Sequence, residues 1–375
     1  MDLMKIREQL DTVDQEIIRL FEQRMKLIEQ VAEFKIETGK QVFDKEREQA
    51  KIAAARQLAH GAFNQQAAQE LFTQLMTISR RYQYRLLEQH GKGGGLGFRQ
   101  VDSIPSQAVR VVYQGVEGAY SHEAALAYFG EHVDAFHVNT WEEAMEAAES
   151  GKADYAVIPI ENSSAGAVSD NYDLLLCHNN VIVAEICIPV NHMLLGLPGA
   201  SLDDIQTVYS HPQALMQSGQ YLNARPRWRQ ISVENTAMAA RKIISDHDKS
   251  QAAVASRAAG KLYGLEALAE GINNNKNNTT RFIILSKNRI YRKDAGRITI
   301  CFELPHRSGT LYNMLGNLIY NGVNMRMIES RPIQGKTWEY RFFVDVEGNL
   351  SDPSIQNALR SVSEEAANMR ILGNY

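Results

Sequence analysis

Cysteine is scarce in this chain: of 375 residues only Cys177, Cys187 and Cys301 are thiols, and no two form a CxxC pair. That excludes a disulfide framework, and because all three lie in apolar or strand-like runs they are expected to be buried thiols of a reducing compartment. Long hydrophobic runs are also missing. No stretch of eighteen apolar residues occurs, and Met1 is followed at once by charged, helix-forming residues instead of a signal core, so a cytoplasmic protein without a membrane partner is expected. There is no excess of positive charge either. A net charge of −4 gives no global field to hold nucleic acid or an anionic bilayer, and residues 1 to 90 balance 14 Lys and Arg against 14 Asp and Glu. Any affinity for anions there must come from where the cations stand.

Their placement is unusual. Ile6, Leu10, Val13, Ile17, Leu20, Leu27, Val31 and Phe34 follow the alternating four-then-three spacing of a helix facing another helix, and Arg24 occupies the slot between Leu20 and Leu27. Desolvating a guanidinium costs several kcal/mol unless partners compensate, so a cation in such a seam implies a buried ion pair or a pocket for an anionic ligand. Lys35, about three turns on, points the same way. Arg7 lies about 25 Å of helix from Arg24, too far for both to hold one small molecule from the same helix. If they share a site, two antiparallel copies must build it, which predicts a homodimer or a higher homo-oligomer.

The organisation reads as three folded units. Residues 1 to 90 hold three helices: one ending at Thr38-Gly39-Lys40, one capped by Asp44 and running to Gly61, and one from near Asn64 to His90. A glycine-rich and Ser/Pro stretch over 91 to 107 reads as a flexible linker. Residues 108 to 288 alternate short β-branched runs with helical segments, which predicts an α/β domain with mainly parallel sheet and two lobes around a cleft. Residues 296 to 375 follow the order strand, helix, strand, strand, helix, strand, the α+β ferredoxin-like arrangement.

Single motifs here are weak and their conjunction is not. Arg7, Arg24, Lys35, Asp44, Arg47, Glu48, Ser79 and Gln83, at this spacing, resemble the all-helical chorismate mutase family, whose fold is an intertwined dimer. The resemblance implies that Arg24, Arg47 and Ser79 bind the carboxylates of chorismate, with Arg7 reaching in from the partner chain. It also implies that Lys35 and Gln83 serve the breaking ether oxygen, with Glu48 and Asp44 near the ring hydroxyl. Such a pericyclic rearrangement needs a held conformer and stabilised negative charge, with no nucleophile, metal or other cofactor.

From 108 to about 287, four motifs occur in order at strand ends: Gly115-Val116-Glu117-Gly118-Ala119-Tyr120-Ser121, Pro159-Ile160-Glu161-Asn162-Ser163, Tyr209-Ser210-His211-Pro212-Gln213 and Thr280-Arg281-Phe282. Together they resemble prephenate dehydratase. That implies loss of hydroxide and carbon dioxide from prephenate, with the Thr280 hydroxyl donating to the leaving oxygen. Asn162, Ser210, His211 and Gln217 are expected to line the cleft, with Ser121, Glu161 and Ser163 nearby. Arg281 is either an anchor for the side-chain carboxylate or a structural ion pair. The last unit resembles the ACT regulatory fold through Arg307-Ser308-Gly309-Thr310-Leu311 and Glu329-Ser330-Arg331-Pro332, which implies L-phenylalanine as allosteric effector at Gly309, Thr310, Leu311, Glu329 and Ser330. Thr310 departs from the usual Gly-Ala-Leu. A competing reading makes the two-lobed and ACT-like units a non-catalytic amino-acid sensor fused to a mutase.

Overall fold

Thirty-six residues without glycine or proline form helix α1 (Leu3–Thr38). The Asp2 side chain accepts from the Met4 amide at its start, and Gly39 stops it in the left-handed conformation, φ +71°. Helix α2 (Lys45–Leu58) begins where the Asp44 carboxylate caps the Arg47 amide, and helix α3 (Ala62–Gln89) packs against both others. The computed structural model describes residues 2–90 and 96–375. Along α1 only Ala32 and Ile36 are buried, and all eight residues of the apolar seam are solvent-exposed in the single chain.

Two sheets dominate the remainder. In the larger, ten-stranded sheet the strands run Met325–Pro332, Tyr340–Glu347, Arg297–Glu303, Ala367–Asn374, Val181–Pro189, Thr279–Ser286, Tyr155–Asn162, Arg110–Gln114 and Asp134–Val138, with Gly166–Ala167 paired beside Tyr155–Asn162. The five-stranded sheet orders Glu266–Ala269, Met193–Gly196, Gln251–Ala255, Thr207–Ser210 and Arg229–Ser232. The first four strands of the large sheet come from the C-terminal unit and join the rest through one parallel pairing, Gly373 with Ile182. A methyl group at Gly373 would collide with the Ile182 carbonyl oxygen, so glycine is what lets the two halves of the sheet touch.

Three sequence expectations are corrected. The α/β region is mixed and not mainly parallel: Thr279–Ser286 runs antiparallel to both its neighbours because the chain leaves the first sheet after Pro189, builds the second, and re-enters from the opposite end. The linker is shorter than 91 to 107. Residues 91 to 95 lie outside the described residues, but Arg99–Val101 pairs with Ile290–Arg292, the Arg289 guanidinium lies 4.3 Å from the Phe98 ring centre, and Ile104 is buried. Of the three thiols only Cys301 is buried; Cys177 ends a helix and Cys187 lies on a strand, both exposed. Among the described residues no helix is long and apolar enough to cross a membrane.

Candidate active sites

The three N-terminal helices enclose a cleft of about 520 Å³, and seven of the eight residues singled out there line it: Arg24, Lys35, Asp44, Arg47, Glu48, Ser79 and Gln83. Helix periodicity brings Arg24 and Lys35 to one face of α1, and α3 presents Ser79 and Gln83, one turn apart, opposite them. Arg24 Nη1 donates to Ser79 Oγ at 2.6 Å, which fixes the guanidinium, and burial lowers its pKa from the usual value. Lys35 Nζ donates to the Val42 carbonyl at 2.7 Å. Burial pulls its pKa down, with Arg47 adding to the effect, while Asp44, Glu48 and Glu364 oppose it. Both cations are half-buried, and among the described residues neither has a direct carboxylate partner, an arrangement that suits an anionic ligand. Gln83 Oε1 is buried and unpartnered. Arg7 does not line this cleft.

Glu48 is held differently. Its carboxylate is paired with Arg80, a buried residue the sequence reading passed over, and its pKa is raised, first by burial. Nothing in the local sequence marks Arg80, which follows Ser79 directly and looks like any charged position on an amphipathic helix.

The second constellation assembles across the two sheets. Thr280 and Asn162 stand opposite each other on paired antiparallel strands, and Asn162 Nδ2 donates to Thr280 Oγ1 at 2.9 Å. Because that bond uses an oxygen lone pair, the Thr280 hydroxyl proton stays available for a ligand. Asn162 also donates to Asn278 Oδ1 at 2.9 Å, and its own Oδ1 accepts from the Ser164 and Ala165 amides at 3.0 Å each. Asn278 Nδ2 and His192 Nε2 both donate to Gln217 Oε1, at 3.0 and 3.1 Å, and the Tyr120 hydroxyl donates to His192 Nδ1 at 3.1 Å. This direction of bonds requires a neutral His192, and burial does lower its pKa. Tyr120, His192 and Asn278 were missed as site residues. Asn278 lay within reach, two positions before Thr280, whereas the Tyr120 to His192 contact spans 72 residues.

His192 gives a pH signature. Its folded pKa lies below the ordinary value of 6.5, so its contribution to stability is complete above that pH and is lost as pH falls through the depressed folded value. Thermal melts should therefore show a steeper acid-side loss in the wild type than in His192→Gln. Parallel curves would remove His192 from this role.

Other predicted residues fall elsewhere. Ser163 Oγ accepts from the Thr279 amide at 2.9 Å and tightens the turn beside Thr280. His211 caps the helix Pro212–Gln217 that carries Gln217, its Nδ1 accepting from the Gln213 amide at 3.2 Å. Ser121 and Ser210 each donate at 2.5 Å to a backbone carbonyl, of Gln114 and Val254. Ser210 is 0 % exposed, which corrects its expected place on the cleft wall, and nearly buried Ser121 likewise has its proton engaged. Of the two readings of Arg281, substrate anchor or structural ion pair, its contacts are those of the ion pair. Alternation along the strand turns it to the face opposite Thr280, where its guanidinium is paired with Glu161, Glu185 and Asp345 at 3.1, 3.2 and 3.2 Å. Glu161 is occupied with it. In the C-terminal unit Gly309, at φ +82°, caps the helix Thr310–Ile319, which opens with Thr310 and Leu311. The Thr310 hydroxyl bonds the Pro305 and Arg307 carbonyls at 3.1 and 3.0 Å, so the departure from alanine is used to close this turn. Glu329 and Ser330 lie on the edge strand Met325–Pro332.

Comparison with known proteins agrees with this division. Residues 6–84 match the chorismate mutase type II family and residues 111–290 the prephenate dehydratase family. The bifunctional chorismate mutase/prephenate dehydratase of Enterobacter agglomerans is 33% identical over 385 residues, covering 100% of this chain and 95% of that protein. Among solved structures, the prephenate dehydratase of Arthrobacter aurescens in complex with L-Phe is 29% identical with a TM-score of 0.65, covering 71% of this chain and 89% of that one. GqqA, described as a quorum quenching acylase, is 32% identical with a TM-score of 0.64, covering 71% of this chain and 96% of its own.

Proposed function

Since the chain belongs to the bifunctional chorismate mutase/prephenate dehydratase family, we propose that it converts chorismate to prephenate in the helical cleft and prephenate to phenylpyruvate, water and carbon dioxide at Thr280. The observation that carries this reading is the convergence of seven of the eight family positions on one cleft.

Chorismate carries two carboxylates. Arg24 with Ser79 offers a pre-aimed donor pair for one, and Arg47 together with Arg7 of a second copy suits the other, since guanidinium forks match carboxylates bidentately. As the ether bond breaks, negative charge grows on its oxygen. Lys35 Nζ, now satisfied only by a neutral carbonyl, and the Gln83 amide, rotated to present its NH₂, stabilise that charge in a partly desolvated site. Asp44 and Glu48 take the ring hydroxyl.

At the second site Asn162 orients Thr280 so that its proton faces the departing hydroxide. The amide chain through Gln217 and Asn278 keeps the surroundings neutral, which avoids stabilising the carboxylate that must leave. His211 and Ser163 hold this frame, while Arg281 ties the strand to the C-terminal unit through Asp345.

Three units follow the chain: 1–90 for the mutase, 96–288 for the dehydratase and 296–375 for an ACT regulatory domain of ferredoxin-like fold. The last binds L-phenylalanine through Gly309, Thr310, Leu311, Glu329 and Ser330 at a boundary between copies. Two facts support dimerisation through α1: its eight exposed seam residues and a cleft without Arg7. Chorismate supplied to the purified chain should yield prephenate and then phenylpyruvate, with the second product suppressed by added phenylalanine. Accumulation of prephenate alone would favour the sensor reading.

A further inference from the structure

Arg80 approaches the helical cleft from behind. It is absent from the cleft lining and is 5 % exposed. One guanidinium nitrogen, Nη1, donates to the Glu48 carboxylate; the other, Nη2, donates to Glu365 Oε1 at 2.6 Å and to Thr77 Oγ1 at 3.4 Å. Its plane lies 4.9 Å from the centre of the Phe43 ring. Nε stands 3.9 Å from Glu364 Oε2, and neither atom has a hydrogen-bond partner. Glu364 and Glu365 belong to the helix Pro353–Glu365 of the C-terminal unit, 285 residues away from Arg80 in the case of Glu365. That helix is seated on α3 by further contacts: Asn357 Nδ2 donates to Glu88 Oε2 at 3.3 Å, and the Arg360 guanidinium lies 4.8 Å from the Tyr84 ring centre.

One cation thus serves three carboxylates in a largely buried space. Were all three ionised they would repel one another, and burial raises the pKa of each, that of Glu364 to about 8. Glu48 interacts with charges from every element around it: Arg24 and Lys35 on α1, Arg80 on α3, and Glu364 and Glu365 from the C-terminal helix, while Asp44 and Arg47 line the same cleft.

We propose that Arg80 is a positioning residue for Glu48 in the mutase reaction, and that Glu364 and Glu365 compete with Glu48 for its guanidinium, so that the C-terminal unit sets the mutase rate. The proposal rests on reading the helical cleft as the chorismate site. Arg80 holds Glu48 in one rotamer and in its ionised form, facing the ring hydroxyl. Each carboxylate of the C-terminal helix that shares the guanidinium weakens that hold. A shift of this helix by a fraction of a turn changes the sharing without touching substrate, which gives the C-terminal unit a direct electrostatic route to the mutase.

The charges predict opposite effects from two kinds of substitution. In the full-length chain, kcat and KM for chorismate are measured between pH 5 and 9, with dehydratase turnover in the same samples as a control for folding. Glu365→Gln, alone or with Glu364→Gln, leaves Arg80 to Glu48 and is expected to move the acid limb of kcat down by about half a pH unit or more. Arg80→Met is expected to move that limb up and to lower kcat about tenfold with KM changed less than about twofold, and Arg80→Lys to recover part of the loss. A purely structural Arg80 would lower both activities and shift neither limb. If Arg80→Met does not fold, the glutamine variants decide alone: an unmoved acid limb with intact dehydratase overturns the proposal. A wild-type chain that does not consume chorismate overturns the site reading itself, an outcome distinct from the other.

Discussion

Thr280→Ala is expected to abolish phenylpyruvate formation while chorismate is still consumed and prephenate accumulates. The Asn162 frame leaves the proton of Thr280 free, because Asn162 donates to Oγ1 and does not accept from it. Alanine removes the donor to the leaving oxygen and leaves the Asn162 amide with Asn278 Oδ1 and the Thr279 carbonyl as acceptors, so the expected loss is that of a positioned proton donor, on the order of 10²–10⁴ in kcat. Stability should change little, since Thr280 is only half-buried and its backbone pairing with Ile188 and Asn162 does not depend on the side chain. Separate assays for the two products decide it. Phenylpyruvate formation within about tenfold of wild type would take Thr280 out of its assigned role. Thr280→Ser, which keeps the hydroxyl, should retain most of the activity and so distinguish proton donation from packing.

Mixing two inactive variants should restore mutase activity. Arg7→Ala and Arg24→Ala each remove a carboxylate-binding guanidinium, and each alone is expected to cost about 10²-fold or more in kcat/KM, because charge-assisted bidentate contacts in a partly desolvated site are lost. In a heterodimer whose subunits carry one substitution each, one of the two clefts draws Arg24 from the intact α1 and Arg7 from its partner's intact α1, so it is whole. The other lacks both. Recovery toward half of the wild-type turnover per dimer is the expected result. The structural basis is the separation of the two cations along a single unbroken helix and the absence of Arg7 from the cleft that holds the other seven residues. Verified heterodimers with no recovery would show that each chain builds its site alone, and the exposed α1 seam would then need another partner.

Legibility in the sequence followed the range of the interactions. The helical cleft was readable because Arg24, Lys35, Ser79 and Gln83 are placed by helix periodicity, and the caps at Asp44 and Gly39 fixed where the helices begin and end. Thr280 and Asn162 were found through motifs at strand ends. What failed depended on side-chain direction or distant contact. Arg281 sits next to Thr280 in the chain, yet strand alternation sends the two side chains to opposite faces, so adjacency misled. Ser210 occupies a strand end as expected but turns inward to a carbonyl. Tyr120, His192 and Asn278 become a network only when separate strands and loops meet, and Arg80 is an ordinary helix cation until the last helix of the chain closes over it.

Taken by itself, the sequence determined the three N-terminal helices, the presence of an α/β region after them and the family, because periodicity, capping and motif spacing are properties of neighbouring residues. Only the tertiary structure decided which of those side chains face a cleft, that the C-terminal strands continue the dehydratase sheet at Gly373, and that Glu48 shares one guanidinium with Glu364 and Glu365. Burial and charge sharing arise where segments hundreds of residues apart exclude water together, and no local pattern in the chain encodes that meeting.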